Sequence, residues 1–232
     1  MKGVLAIAAR ALRDLTAFAL PQRCPGCGRA TDPARLLCGA CERLIPRLES
    51  ELCVRCLAAG REPVGCRAHP GFASGAAWIY DERAARVIHA LKYAERTALA
   101  HRLGRELARA LPPGYRPDLV TEVPLHRTRR RERGYNQAAL LAEALAEAVG
   151  APWLPEALER VRPTRAQARL GPAERRRNMA GAFRVRHPDA LAGRSILIVD
   201  DVLTTGATLE SALDSLTHAG AAARGIALAW AA

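Results

Sequence analysis

Lysine is nearly missing from this chain. Lys2 and Lys92 stand alone among 35 lysines and arginines. Neither sits in a G-x-x-x-x-G-K-[ST] pattern, which excludes a P-loop ATPase. Long apolar runs are missing too. Residues 1–20 are amphipathic, with Leu5, Ala8, Leu12, Leu15 and Phe18 on one helical face, and Arg10, Arg13 and Asp14 interrupt them. That pattern suits a helix packed on the body and excludes a usual secretory signal or membrane span, so the expected compartment is the cytoplasm. No helix-turn-helix signature is evident, which weighs against a repressor. Cysteine is absent beyond Cys66.

What is present is positive charge. The 232 residues carry a formal net charge of +12, with a pI near 10.2. Compositional bias explains arginine over lysine but not the surplus of positive over negative. The surplus points to a polyanionic partner, either a pyrophosphorylated sugar or nucleic acid. The length allows one large domain, or a medium one with a small one.

All seven cysteines fall between 24 and 66. Cys24, Cys27, Cys38 and Cys41 make two C-x2-C knuckles ten residues apart, a thiolate set suited to closed tetrahedral zinc. Cys53, Cys56, Cys66 and His69 form C-x2-C, nine residues, C-x2-H, which reads as a second, Cys₃His site or as a remnant knuckle beside incidental residues. A reduced compartment disfavours disulfides. With no open coordination position suggested, the zinc is expected to be structural. The expected domains are an N-terminal helix over 1–20, a zinc-ribbon-like module over 21–72, and a body over 73–232, with residues 71–75 as a hinge.

In the body, strand patterns at 76–80, 118–123, 182–185, 196–199 and 225–230 alternate with helical patterns at 81–110, 140–149 and 209–219. The 81–110 helix is expected to break near Tyr93. Alternation predicts an α/β fold with a mainly parallel sheet flanked by helices.

The most informative stretch is Ile196–Thr208. Ile196–Val199 reads as a strand buried on both faces. Asp200 and Asp201 are expected at its end, followed by a turn of Thr204, Thr205, Gly206, Ala207 and Thr208. Ligands of open α/β sheets bind at the carboxyl strand ends, and a turn entering a helix suits phosphate. Two aspartates suit vicinal hydroxyls or a divalent ion, so the segment describes a holder for a ribose 5-phosphate. It resembles the phosphoribosyl pyrophosphate (PRPP) loop of type I phosphoribosyltransferases. That likeness implies that Asp200 and Asp201 contact the ribose hydroxyls and that the turn holds the 5-phosphate.

Two arginine-rich segments accompany it, at 126–137 and 160–179. Guanidinium forks match phosphate oxygens bidentately. If the chain is a transferase, Arg127 and Arg129 are the expected pyrophosphate contacts. Arg162 and Arg165 would belong to a loop that closes over the site, and Lys92 would reach a phosphate. Tyr135 suits either stacking on a base or packing its own loop.

In order along the chain come the cysteine knuckles, His89–Tyr93, Val123–His126, Arg133–Gln137, Thr164–Gln167 with Arg175 and Asn178, and the 196–208 loop. Together they resemble the ComF family of competence-associated proteins. The resemblance implies a phosphoribosyltransferase fold behind a zinc-binding region, with PRPP and Mg²⁺ or a nucleotide as ligand. It implies a cytoplasmic role in natural transformation, near single-stranded DNA and a competence helicase. Turnover is a separate question. The same loops serve a catalytic transferase of nucleotide metabolism, a DNA-binding accessory that keeps the fold, or an adaptor that recruits its partner through zinc. No glutaminase domain with an N-terminal catalytic cysteine accompanies them, which disfavours self-sufficient glutamine-dependent transfer.

Overall fold

The computed structural model describes residues 23–32, 35–93, 97–125, 130–131, 134–161, 179 and 181–232; of Lys92, Tyr93, Thr97 and Ala98 it describes the backbone alone. The N-terminal helix expected over 1–20 lies outside these residues.

Five strands form the main sheet. They are β1 (Leu52–Cys53), β2 (Ala73–Ile79), β3 (Leu119–Glu122), β6 (Ser195–Leu203) and β7 (Ala222–Trp230), in the order β1-β2-β7-β6-β3. Only β1 runs antiparallel to its neighbour. Ile196–Val199 and Ile226–Ala229 are fully buried, as unbroken apolar runs in the middle of a parallel sheet require. A separate antiparallel pair joins β4 (Leu158–Arg160) and β5 (Phe183–Val185). The strand expected at 182–185 therefore exists but lies outside the main sheet, and its partner β4 was too short to register as a pattern.

Each face of the sheet has its own core. On one face lie α3 (Glu82–Tyr93), α4 (Thr97–Arg109) and α5 (Gln137–Val149). Leu99, Leu103 and Leu107 supply the four-residue stripe that seats α4. At the crossing of α4 and α5 a Cβ on Gly104 would meet the Ala144 carbonyl carbon at 2.5 Å, so only glycine permits this approach. The other face holds α6 (Pro188–Leu191), α7 (Ala207–His218) and the β4–β5 pair.

The cysteine-rich segment straddles the β1 edge. Cys24 and Cys41 pack into the first core, beneath α1 (Gly39–Leu44), while Cys53 and Cys56 pack into the second, around α2 (Val54–Ala58). Glu106 of α4, nearly buried, ties Arg47 down at 2.8 Å. Residues 71–75 are no hinge. They run from a 3-10 turn (Pro70–Phe72) into β2, where Ser74 and Gly75 pair with Gly225 and Ile226.

Helix α5, which follows β3, and helix α7, which follows β6, lie on opposite faces of these adjacent strands. This is a topological switch point, where the carboxyl ends of the strands open a crevice.

Candidate functional site

Asp200 and Asp201 lie at that crevice. The β3–β6 ladder ends at Glu122 opposite Val199, whereas pairing with β7 continues through Leu203 opposite Trp230. The strand was expected to stop at the acidic pair. It runs on to Leu203 because β7 still holds one side, and the pair stands where β3 has already left the other. Asp200 Oδ1 accepts from the Asp201 N–H at 2.8 Å, and Asp201 Oδ1 from the Val202 N–H at 2.8 Å. Both carboxylates are half-buried. Burial pushes the Asp200 carboxyl well above the usual range, and the neighbouring Asp201 charge adds to it; the Arg160 guanidinium pulls the other way. Arg160 is the last residue of β4, and a strand pairing too short to recognise by pattern brings its charge to bear there.

Downstream, Thr204 is exposed and Thr205 half-buried. Gly206 takes φ 73°, ψ −11° as the N-cap of α7, and no side chain caps that helix. The helix begins at Ala207, two residues before the expected start, so Ala207 and Thr208 form its first turn. By contrast α5 is capped by the Asn136 side chain, which accepts from the Ala138 N–H at 3.2 Å. An uncapped helix start presents backbone N–H groups and the positive dipole end.

Arg127, Arg129, Arg162 and Arg165 lie outside the described residues, as does the side chain of Lys92, whose backbone is in α3. The Arg133–Gln137 motif proves partly architectural. Tyr135 packs its loop, donating its hydroxyl to the Leu91 carbonyl at 2.5 Å. Asn136 donates to the Val123 carbonyl at 3.1 Å while capping α5.

Beside the crevice is a cavity of about 590 Å³ whose lining includes Glu122, Tyr135, Trp153, Glu156, Arg160 and Arg186. Glu122 is 3% exposed, and burial raises its pKa. It accepts from Trp153 Nε1 at 3.1 Å and from the Glu156 N–H at 3.0 Å. Glu156 has φ 54°, the one positive φ outside glycine among the described residues. Its carboxylate pairs with Arg130 and, at 3.0 Å, with Arg186, and the Arg130 hydrogen bond holds its pKa low. Nothing in the sequence pattern singled out this cluster.

Both cysteine groups converge. In each, one ligand atom per residue lies within 4.8 Å of the others. Cys27 and Cys38 Sγ are 3.6 Å apart. In the second group, His69 Nδ1 stands 3.5 Å from Cys53 Sγ, 3.5 Å from Cys56 Sγ and 3.4 Å from Cys66 Sγ, and Cys56 and Cys66 Sγ are 3.5 Å apart. Tetrahedral zinc with ordinary bond lengths sets S···S at about 3.8 Å and S···N at about 3.5 Å. The residues fit the ion in both places, and Cys66 and His69 complete the second set. Acidity divides within the sets. The Cys41 N–H, then the neighbouring thiols, hold Cys38 down to about 6, while burial pushes Cys56 up to about 11.

Comparison with known proteins places the chain. Residues 135–232 match the phosphoribosyl transferase domain. "DNA utilization protein YhgH" of Escherichia coli (strain K12) is 35% identical over 207 residues, 86% of each chain. Its namesake from Salmonella typhi is 30% identical over 226 residues, 95% of this chain and 86% of that one. "Competence protein F" of Haemophilus influenzae is 38% identical over 94 residues, 40% of this chain and 41% of that one.

Proposed function

The chain belongs to the ComF family of the phosphoribosyltransferase superfamily, and from that membership we propose that its Asp200–Thr208 segment binds a phosphoribosyl ester of the PRPP kind and that the protein works in the handling of DNA taken up by the cell. One observation carries the ligand reading. Two half-buried carboxylates on the β6 edge that β3 has vacated are followed, after residues 202–206, by an uncapped twelve-residue helix. Carboxylates accept from ribose hydroxyls, and the turn's N–H and threonine hydroxyl groups donate to phosphate. The burial that raises Asp200 makes this charge costly when empty, so a ligand offering donors there gains.

Asp200 and Asp201 would orient the ribose. The 204–208 turn would hold the 5-phosphate, and Arg127 and Arg129 the diphosphate. Arg162 and Arg165 would close over the site, and Lys92 would reach a phosphate. Mg²⁺ accompanying the diphosphate would neutralise its charge. If transfer to an acceptor occurs, these residues position the partners and exclude water. Zinc in each cysteine set would supply folding energy to a segment with little core of its own.

The DNA role rests on the names of the relatives and on the +12 charge. Single-stranded DNA is the expected polyanion, with a competence helicase as the expected partner, in the cytoplasm. No described helix is long and apolar enough to cross a membrane. The DNA reading is tested by binding to a single-stranded oligonucleotide at several salt concentrations. A steep linear fall of log K with log salt is expected; no binding at low salt would exclude direct contact.

A further inference from the structure

The short helix α2, which carries Cys56 and is preceded by Cys53, touches the turn that the proposed function assigns to phosphate. Cys53 and Cys56 flank Val54 and Arg55 at the start of α2. A Cβ on Gly206 would lie 2.9 Å from the Val54 carbonyl oxygen and 3.3 Å from Leu57 Cδ2, so α2 lies directly on the turn before α7. Arg55 fastens the contact. Its Nη2 meets Asp214 at 2.7 Å, its Nε meets Glu210 at 3.3 Å, and its guanidinium stacks 3.6 Å from the Phe72 ring centre. Phe72 closes the 3-10 turn that His69 opens. Arg55, between Cys53 and Cys56 in the chain, is therefore stacked on Phe72, which hydrogen-bonds back to His69, and is bonded to α7.

We propose that metal bound by Cys53, Cys56, Cys66 and His69 positions α2 against Gly206, so that occupancy of this set and binding of a phosphate ester at the 204–208 turn are thermodynamically coupled. The physical chain is short. Metal joins Cys53 and Cys56, at one end of α2, to His69 beside Phe72. That junction fixes Val54 and Arg55, and these fix the backbone of Gly206 and the first turn of α7. Without metal four ligand side chains that converge on one point lose their common bond, and α2 has only five residues to hold its own shape. The first cysteine set packs on the other face of the sheet. Coupling is reciprocal, so ligand in the turn tightens metal in this set.

This inference rests on the phosphate reading of the turn, and the experiment separates the two. Full-length wild type and the His69→Ala, His69→Cys and Arg55→Ala variants are purified with zinc. Three quantities are measured: zinc per chain, amide hydrogen exchange over 203–210, and calorimetric affinity for PRPP with Mg²⁺. His69→Ala is expected to lose one zinc, to exchange at least tenfold faster over 203–210, and to bind PRPP at least tenfold more weakly. Exchange in α4 and α5 stays as in wild type, which shows the fold is kept. His69→Cys restores zinc and protection through a four-thiolate set. Arg55→Ala keeps both zincs yet exchanges faster at the turn, because the ligands remain and the fastening is gone. Unchanged exchange over 203–210 in a folded His69→Ala that has lost its zinc overturns the coupling. Faster exchange with no PRPP binding even by wild type upholds the metal clamp and overturns the phosphate reading.

Discussion

The carbonyl oxygen of Val54 stands 2.9 Å from the point that a Cβ on Gly206 would occupy. A residue between two cysteines of the second convergent group thus limits what can stand in the turn after the acidic pair. Gly206 also takes φ 73°, where an L side chain is strained.

Gly206→Ala is therefore expected to cost stability twice, through strain and through overlap with Val54, by about 1–3 kcal/mol. For a chain of this length that lowers Tm by about 2–4 °C per kcal/mol. Thermal unfolding of the zinc-loaded variant measures it, with weaker PRPP binding alongside. An unshifted Tm would show that α2 gives way freely.

Gly104→Ala is the matching control. Its Cβ would meet the Ala144 carbonyl carbon at 2.5 Å, on the opposite face of the sheet from the turn. A loss of about 1–3 kcal/mol is expected from overpacking between α4 and α5. PRPP affinity of the folded fraction should equal that of wild type. Affinity lost in step with Gly206→Ala would mean that both report general destabilisation.

Asp200 gives a pH signature. Its carboxyl is raised in the folded chain by burial and by Asp201. The folded state therefore holds this proton more tightly than the unfolded one. The associated stability is complete below the unfolded aspartate value of about 3.9 and is lost as pH rises through the folded value. Asp200→Asn removes the buried charge. It should raise Tm at neutral pH, flatten this part of the Tm-against-pH curve, and still bind PRPP poorly. A variant less stable than wild type at pH 7 would show that the ionised carboxylate is well compensated in the empty site.

Elemental analysis should find two zinc ions per chain. Cys24→Ser and His69→Ala should each leave one, from different sets. A single ion in the wild type would confine metal to one group and leave the other as free thiols.

The sheet's centre was legible because Ile196–Val199 and Ile226–Ala229 are buried on both faces and must be apolar throughout. The convergence of the two cysteine groups was legible because C-x2-C and C-x2-H spacings are local. What escaped was long-range. The Arg160 charge acts on Asp200 only because β4 pairs with β5, two three-residue strands more than twenty positions apart in the chain. Arg55 meets Glu210 and Asp214 across 155 and 159 positions. Glu122 is marked by nothing in its own strand; Trp153 and Glu156 close over it from 31 and 34 positions away. The Arg133–Gln137 motif was legible as a signal, but Tyr135 and Asn136 turn out to anchor loops. Strand limits were misjudged at Asp200 because pairing with β7 outlasts pairing with β3, and no single strand carries that difference in its own residues.

The central claim is that the Asp200–Thr208 segment is a working phosphoribosyl site. It is tested most directly by calorimetric titration of the zinc-loaded protein with PRPP and Mg²⁺, beside the double variant Asp200→Ala, Asp201→Ala. The account predicts saturable binding by wild type and none measurable by a folded double variant. Equal affinity in the two proteins, or no binding by folded wild type, would contradict it.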